Sequence, residues 1–387
     1  MKEQQIPFNK PFLTGKELQY IEEAVKSGKI SGDGMFTKKC HSFFEERYCF
    51  RKCLLTTSCT DALEMAAILI NTAPGDEIIV PAFTFVSTVN AFVLRGATII
   101  FADSNVQEPN IDVSKISDLI TPKTKAIIAV HYAGVACDLD AIYALAKKHG
   151  LFVIEDAAQA IDSYYKGVPL GSIGDLAAFS FHETKNVISG EGGMLVVNNP
   201  TFESRSEIIR EKGTNRSSFF RGEVDKYGWV DLGSSFLPSE IISAFLFAQL
   251  EHLDTIQTKR KALWHQYHHN LESLENEGKL QRPYIPDYAT CNGHMYYIIL
   301  PNVETRTALI KDLQSKGIHS VFHYLSLHQS PYFKDKHDGR ELPQSVHYTN
   351  CLLRLPLFYE LTLQQVDFIC EQIGVFFSTH HSNLLSN

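Results

Sequence analysis

The sequence predicts an α/β protein: a mostly parallel, mixed central sheet with helices on both faces, followed by a smaller α+β unit. Three observations carry this. Short, nearly continuous apolar runs recur at residues 77–80, 98–102, 126–130, 151–154, 177–181 and 194–197; such runs read as strands buried on both faces. Helical stretches lie between several of them. After about Ile242 the texture changes to a polar helix, proline-bearing loops and short strands.

Leu63, Ala66, Ala67 and Ile70 repeat at i, i+3, i+4 and i+7, which predicts an amphipathic helix over 61–70, with Asp61 and Glu64 as its capping box. Residues 139–149 form a second helix, closed by Gly150 at the C-cap. Residues 245–276 read as one long helix. Pro283 and Pro286 mark loops, 295–300 reads as a strand, 306–316 as a helix and 320–324 as a strand. The 387 residues exceed what one core usually holds. We expect a large unit over 1–245, a small one over 246–380 and a frayed polar tail over 381–387.

Hydrophobic residues make up 44% of the chain and charged residues 21%, ordinary values for a soluble enzyme. The net charge of −8 argues against general nucleic-acid binding. The longest apolar stretch, 91–102, is interrupted by Arg95 and Gly96 and falls short of the roughly 20 residues of a membrane helix. The first residues hold no apolar signal region, so the expected location is the cytoplasm. Cysteines 40, 49, 53, 59, 137, 291, 351 and 370 are scattered without a CxxC pair, which favours free thiols over a disulfide framework. The spacing of Cys49, Cys53 and Cys59 near His41 matches no zinc pattern, and no metal is expected.

The chemistry centres on Lys185, in Ser180-Phe181-His182-Glu183-Thr184-Lys185-Asn186, with Gly190-Glu191-Gly192-Gly193 close behind. Upstream, an apolar run ends in Glu155-Asp156-Ala157-Ala158-Gln159. A lysine amine can condense with the aldehyde of pyridoxal 5′-phosphate, and a carboxylate can keep the pyridine nitrogen protonated so that the ring draws electrons. Taken singly, Asp156 could be a helix N-cap and Lys185 a solvated surface residue; together they point to amino transfer. Glu155 should alternate to the other side of the strand and make structural contacts. Thr57-Ser58-Cys59-Thr60 precedes a helix, where backbone N–H groups and hydroxyls suit an anion such as the cofactor phosphate, or serve as ordinary caps. Ser180 offers another hydroxyl. Phe83 and Phe85 follow a strand and could stack on the ring or belong to the core. Arg210, Lys212, Arg216 and Arg221 form a basic stretch suited either to a pyrophosphate-bearing substrate or to a solvated face. His323 and Tyr324 are further candidates for the substrate mouth.

The segments 155–159, 180–186 and 191–193, in a pattern that runs from Ile6-Pro7-Phe8-Asn9 to Arg354-Leu355-Pro356-Leu357-Phe358, resemble the DegT/DnrJ/EryC1/StrS sugar-nucleotide aminotransferases. The resemblance implies a fold type I pyridoxal-phosphate-dependent transferase. It implies Lys185 as the residue bonded to the cofactor and the proton shuttle, Asp156 at the pyridine nitrogen and Gln159 near the cofactor oxygen or ring. Cys59 (through its backbone), Thr60 and Ser180 would hold the phosphate, Phe85 would stack on the ring, and Asn186 would face the substrate. Cys59 stands where many relatives have glycine, and Leu237 where many use an asparagine of the neighbouring subunit; Ser234 or Ser235 would then supply that contact. Pyridoxamine phosphate would be the intermediate form of the cofactor, and a homodimer with active sites at the subunit interface is implied. Ser31-Gly32-Asp33-Gly34, 131–137, 211–222 and Asp225-Lys226-Tyr227 are the more specific segments. They point to L-glutamate as donor and dTDP-4-dehydro-6-deoxyglucose as acceptor, giving dTDP-4-amino-4,6-dideoxygalactose for a surface glycan. The gluco epimer or another nucleotide sugar stays open at this level.

Overall fold

In the computed structural model, which describes residues 5–379, the first strands are β1 (Cys53–Thr56), β2 (Glu77–Pro81), β3 (Thr98–Ala102), β4 (Thr124–Val130), β5 (Phe152–Asp156), β6 (Tyr164–Tyr165), β7 (Val168–Pro169), β8 (Leu176–Ser180) and β9 (Gly193–Val197). β6 and β7 pair as a small hairpin, while the other seven form one sheet in the order β1-β9-β8-β5-β4-β2-β3. From β8 to β3 all neighbours run parallel; β9 runs antiparallel to both β8 and β1. The expected mixed, mostly parallel sheet is therefore present. Its side chains alternate between two cores: Ile79, Ile127, Val153 and Ala177 enter one, and Ile78, Ile128, Ile154 and Ala178 the other. This is the period-two arrangement of strands covered on both faces.

The expected helix over 61–70 starts earlier, as Cys59–Leu69, and Asp61 with Glu64 does not cap it. Ser58 is the N-cap, in extended conformation, and its hydroxyl accepts from the Asp61 N–H. The Asp61 carboxylate is taken up by the Thr57 hydroxyl instead. Leu139–His149 ends as expected, on Gly150 with a positive φ of 68° and its N–H bonded to the Ala146 carbonyl.

The single long helix over 245–276 is replaced by three: Glu240–Leu250, Leu253–Asn270 and Glu272–Asn276. The chain turns at His252 and Leu271, which leaves Leu250, Leu253 and Leu271 buried. A second sheet follows, with β10 (Tyr296–Ile299), β11 (Val321–Phe322) and β12 (Leu352–Leu355) in the order β10-β12-β11, both pairings antiparallel. Ile6 pairs with Ile318 and shares the core of this second sheet with Leu353, Leu355 and Ile369. The strand expected over 320–324 stops at Phe322, because His323 and Tyr324 turn away to bond with Tyr132 and Gln159. The expected frayed tail, 381–387, lies outside the described residues. Among the described residues no helix is long and apolar enough to cross a membrane.

Candidate active site

Sheet register builds the site. Thr56, Gly193 and Ser180 sit opposite one another across β1, β9 and β8, and Asp156 stands opposite Ala178 on the next pair. The carboxyl ends of β1, β5 and β8 thus share one edge, where ligands of such sheets gather. Gly193 is required there: a Cβ would lie 2.3 Å from the Ser58 carbonyl carbon and 2.4 Å from the Cys59 nitrogen. β9 can pass beneath the Ser58–Cys59 peptide only without a side chain. The Cys59 and Thr60 N–H groups belong to the first helical turn, whose N–H groups lack intrahelical acceptors and favour an anion. The Thr60 hydroxyl donates to Ser87 Oγ at 2.8 Å. Ser180 is half-buried at the same edge.

Asp156 is 6% exposed. Its Oδ2 accepts from Thr88 Oγ1 at 2.6 Å and its Oδ1 from the Ala158 N–H at 3.2 Å. Among the described residues this buried carboxylate, bonded to a hydroxyl and a backbone N–H, forms no direct ion pair, and a pyridinium would supply one. Glu155 points the other way. It accepts from the N–H groups of Gly171 (2.7 Å), Ile173 (2.9 Å) and Gly174 (2.5 Å) and lies 2.9 Å from His131 Nε2. Burial pushes its carboxyl up, but His131 and these backbone donors outweigh burial and hold it below the ordinary carboxylate range.

Lys185 is half-buried. Withdrawal from water, reinforced by the Arg354 charge and opposed by Cys59 and Asp156, lowers its amine from 10.5 to about 8. A neutral amine at that value can attack an aldehyde or take a proton near physiological pH.

Gln159 is locked: its Oε1 accepts from the Ala133 N–H at 2.6 Å and its Nε2 donates to the Tyr324 hydroxyl at 3.1 Å. Tyr324 lies with its ring centroid 5.9 Å from those of Phe83 and Phe85. Phe83 is buried, whereas Phe85 is 53% exposed and so offers a free face. His323 Nδ1 meets the Tyr132 hydroxyl at 3.1 Å.

Not every expected residue presents itself to a ligand. Asn186 is buried, with its amide spent on Gln257, the Asn292 carbonyl and His294. Arg210 is buried too, its guanidinium bonded to Asp33 and the Leu55 carbonyl, so it is not the free arm expected. Arg221 is exposed but paired with Glu207 and Glu223. Lys212 and Arg216 are exposed, Arg216 lying over the Phe220 ring. Ser235 is exposed beside Phe236, whose carbonyl accepts from the Thr57 N–H. Leu237 packs where a Cβ on Gly32 would sit. Sequence reasoning missed Thr88, although it closes the segment that holds Phe83 and Phe85. It also missed Tyr132, His294 and Arg354, whose roles depend on contacts between distant segments.

A family model for the DegT/DnrJ/EryC1/StrS aminotransferases matches residues 11–374. The chain belongs to this family. GDP-perosamine synthase of Escherichia coli O157:H7 is 34% identical over 374 residues, covering 96% of this chain and 99% of its own. The spore coat polysaccharide biosynthesis protein SpsC of Bacillus subtilis (strain 168) is 31% identical over 380 residues, 95% of this chain and 96% of its own. The solved structure of Spr1654 from Streptococcus pneumoniae in its PMP form has a TM-score of 0.90 at 26% identity, covering 98% of this chain and 99% of its own; the same protein is also known in a PLP form.

The chain is accordingly a sugar aminotransferase that works with pyridoxal phosphate. The site fits that group: Gly193 leaves room beneath the anion-binding turn, and Asp156 awaits a cation. When bound, the cofactor supplies an aldehyde that accepts amines and a ring that withdraws electrons. Of the two relatives above, one is named for GDP-perosamine and the other for a spore coat polysaccharide.

Proposed function

We propose that this enzyme moves the amino group of L-glutamate to C4 of dTDP-4-dehydro-6-deoxyglucose. The products are 2-oxoglutarate and dTDP-4-amino-4,6-dideoxygalactose, the latter destined for a surface glycan. Lys185 Nζ carries the proton in both halves of the exchange. Asp156 would hold the ring nitrogen protonated, Cys59, Thr60 and Ser180 would receive the phosphate, and Phe85 and Gln159 would help hold the ring. Ser235 adds a phosphate contact in a homodimer whose active sites lie at the subunit interface. Lys212, Arg216, His323 and Tyr324 face the nucleotide sugar, while Arg210, Asn186 and Arg221 position their neighbours. The enzyme works in the cytoplasm, with a large unit over 1–245 and a small one over 246–380.

One observation carries the substrate-level reading. One of the segments on which it rests, 31–34, is tied by the Asp33–Arg210 ion pair to the residue just before a second, 211–222. A third, 131–137, reaches the cofactor region through the Ala133 N–H on Gln159. The similarity to GDP-perosamine synthase favours a second reading, in which the acceptor is a GDP-linked keto sugar. The test is to supply L-glutamate with dTDP- or GDP-linked 4-dehydro-6-deoxy sugars and to determine the C4 configuration of the product by NMR. A galacto product from the dTDP sugar supports the first reading. A gluco product, or turnover of the GDP sugar alone, removes it.

A further inference from the structure

Tyr132 follows β4 of the first sheet and His323 follows β11 of the second. They lie 191 residues apart in sequence, yet the Tyr132 hydroxyl meets His323 Nδ1 at 3.1 Å. Both sides of this contact are held. The Tyr132 N–H donates to Asn110 Oδ1 at 2.9 Å, and Asn110 Nδ2 donates in turn to the Val135 carbonyl at 3.0 Å. The Tyr132 ring is buried, with the rings of Phe83, Tyr297 and Tyr324 around it. On the other side, Tyr324 directly follows His323, and its hydroxyl accepts from Gln159. A fixed phenol thus reaches an imidazole at the substrate mouth.

The direction of that bond follows from what else each atom can do. Among the described residues the Tyr132 hydroxyl has no second partner. If it accepted from an Nδ1–H, its own hydrogen would be buried without an acceptor, which is costly. Donation from the phenol to a bare Nδ1 removes that cost. Burial, together with the nearby Arg354 and Lys185 charges, keeps the imidazole from taking a second proton. The ring hydrogen then sits on Nε2. Nε2 bonds to no described residue and is not sealed from solvent. An N–H donor is therefore left free within electrostatic reach of the Lys185 amine.

A free N–H on an uncharged ring selects its acceptor by charge. Carboxylates and phosphates gain most from cationic donors, whereas an uncharged ring suits an uncharged oxygen. The keto sugar brings one to the reacting carbon. Its C4 oxygen gathers negative charge as nitrogen adds to C4, and a donor already in place stabilises that charge. A neutral imidazole can polarise a carbonyl in this way. We infer that His323 is a catalytic hydrogen-bond donor to the C4 oxygen of the acceptor sugar, and that Tyr132 is the positioning residue that keeps its ring hydrogen on Nε2.

This inference rests on the acceptor being a 4-keto sugar, as proposed above, and the test separates the two ideas. Tyr132→Phe removes the hydroxyl and keeps the ring. His323→Gln puts an amide N–H near the place of Nε2 with no tautomer to set, so Tyr132→Phe is made in both backgrounds. Each protein is loaded with cofactor, and the two halves of the exchange are followed separately by near-visible absorption. The loaded form meets L-glutamate, and the pyridoxamine form meets whichever of the dTDP- and GDP-linked keto sugars the wild type accepts. Expected is a sugar half slowed about 10-fold by Tyr132→Phe at saturating sugar, with the glutamate half changed much less. Adding Tyr132→Phe to His323→Gln slows the sugar half no further. Nitrogen NMR of isotope-labelled imidazoles, with the His323 signals identified by their loss in His323→Gln, shows the hydrogen on Nε2 in the wild type and on either nitrogen in Tyr132→Phe. A hydrogen on Nδ1 in the wild type overturns the inference. So does equal slowing of both halves, or the same loss from Tyr132→Phe in both backgrounds; either makes Tyr132 a support for the fold. If the wild type reacts with glutamate but with neither sugar, the acceptor proposed above is wrong, the role at the sugar oxygen falls with it, and the spectra alone judge the tautomer.

Discussion

Thr88 Oγ1 donates to Asp156 Oδ2 at 2.6 Å, and Thr84 Oγ1 meets Thr88 Oγ1 at 2.9 Å. A helix that follows β2 thus orients the carboxylate that ends β5, and the acid is aimed before any cofactor arrives. Thr88→Val keeps the shape and removes the hydroxyl. Hydrogen bonds to charged groups contribute about 1.5–3 kcal/mol, so the dissociation constant for pyridoxal phosphate should rise about 10-fold or more in an absorbance titration, with thermal stability little changed.

Asp156→Asn separates binding from electronics. The amide can still fill the site but cannot pair with a protonated ring nitrogen. We expect the variant to retain cofactor and to lose about 10²–10⁴-fold in single-turnover rate with glutamate, the range typical of lost acid–base assistance. A rate within a few-fold of wild type would contradict the ion-pair role.

Gly193→Ala places a methyl group against the Ser58–Cys59 peptide. Backbone on both sides leaves little room to yield, so a loss of at least about 1–3 kcal/mol is expected from overpacking, together with weaker cofactor retention. Gly228→Ala is the control, since nothing lies within 4 Å of its would-be Cβ; its melting temperature should match wild type.

The pH dependence of Lys185 has a definite sign. Its amine falls from 10.5 to about 8 in the fold, so cofactor-free protein should capture pyridoxal phosphate faster as pH rises through about 8 and level off above it. For stability, a depressed lysine means that the folded state binds the proton more weakly than the unfolded one. The penalty is full below about 8, shrinks between 8 and 10.5, and vanishes above. Cofactor-free Lys185→Met should therefore melt above wild type at pH 7, with the gap closing as pH approaches 10.5.

Glu155 and Asp156 illustrate what could be read from the chain. Two adjacent acids on a strand must face opposite ways; once the pairing with Lys185 had pointed to Asp156, that argument sent Glu155 to structural contacts. The apolar runs likewise announced the sheet. β1 escaped because Cys53–Thr56 is four residues long and follows Arg51-Lys52 without a marked alternation. The breaks at His252 and Leu271 carry no proline or glycine to betray them. Arg210 read as a substrate arm or a solvated residue because its partner, Asp33, is 177 residues away. Periodicity reports burial along one element; it cannot report which distant element supplies the acceptor.

The most direct measurement follows the near-visible absorption of the purified protein loaded with pyridoxal phosphate, beside Lys185→Ala. The expected result is a lysine-dependent band that L-glutamate bleaches and dTDP-4-dehydro-6-deoxyglucose restores in the wild type, with no such cycle in the variant. A band that forms and cycles equally well without Lys185, or one that never forms in the wild type, would contradict the assignment of Lys185 as the residue that bonds the cofactor and carries the proton.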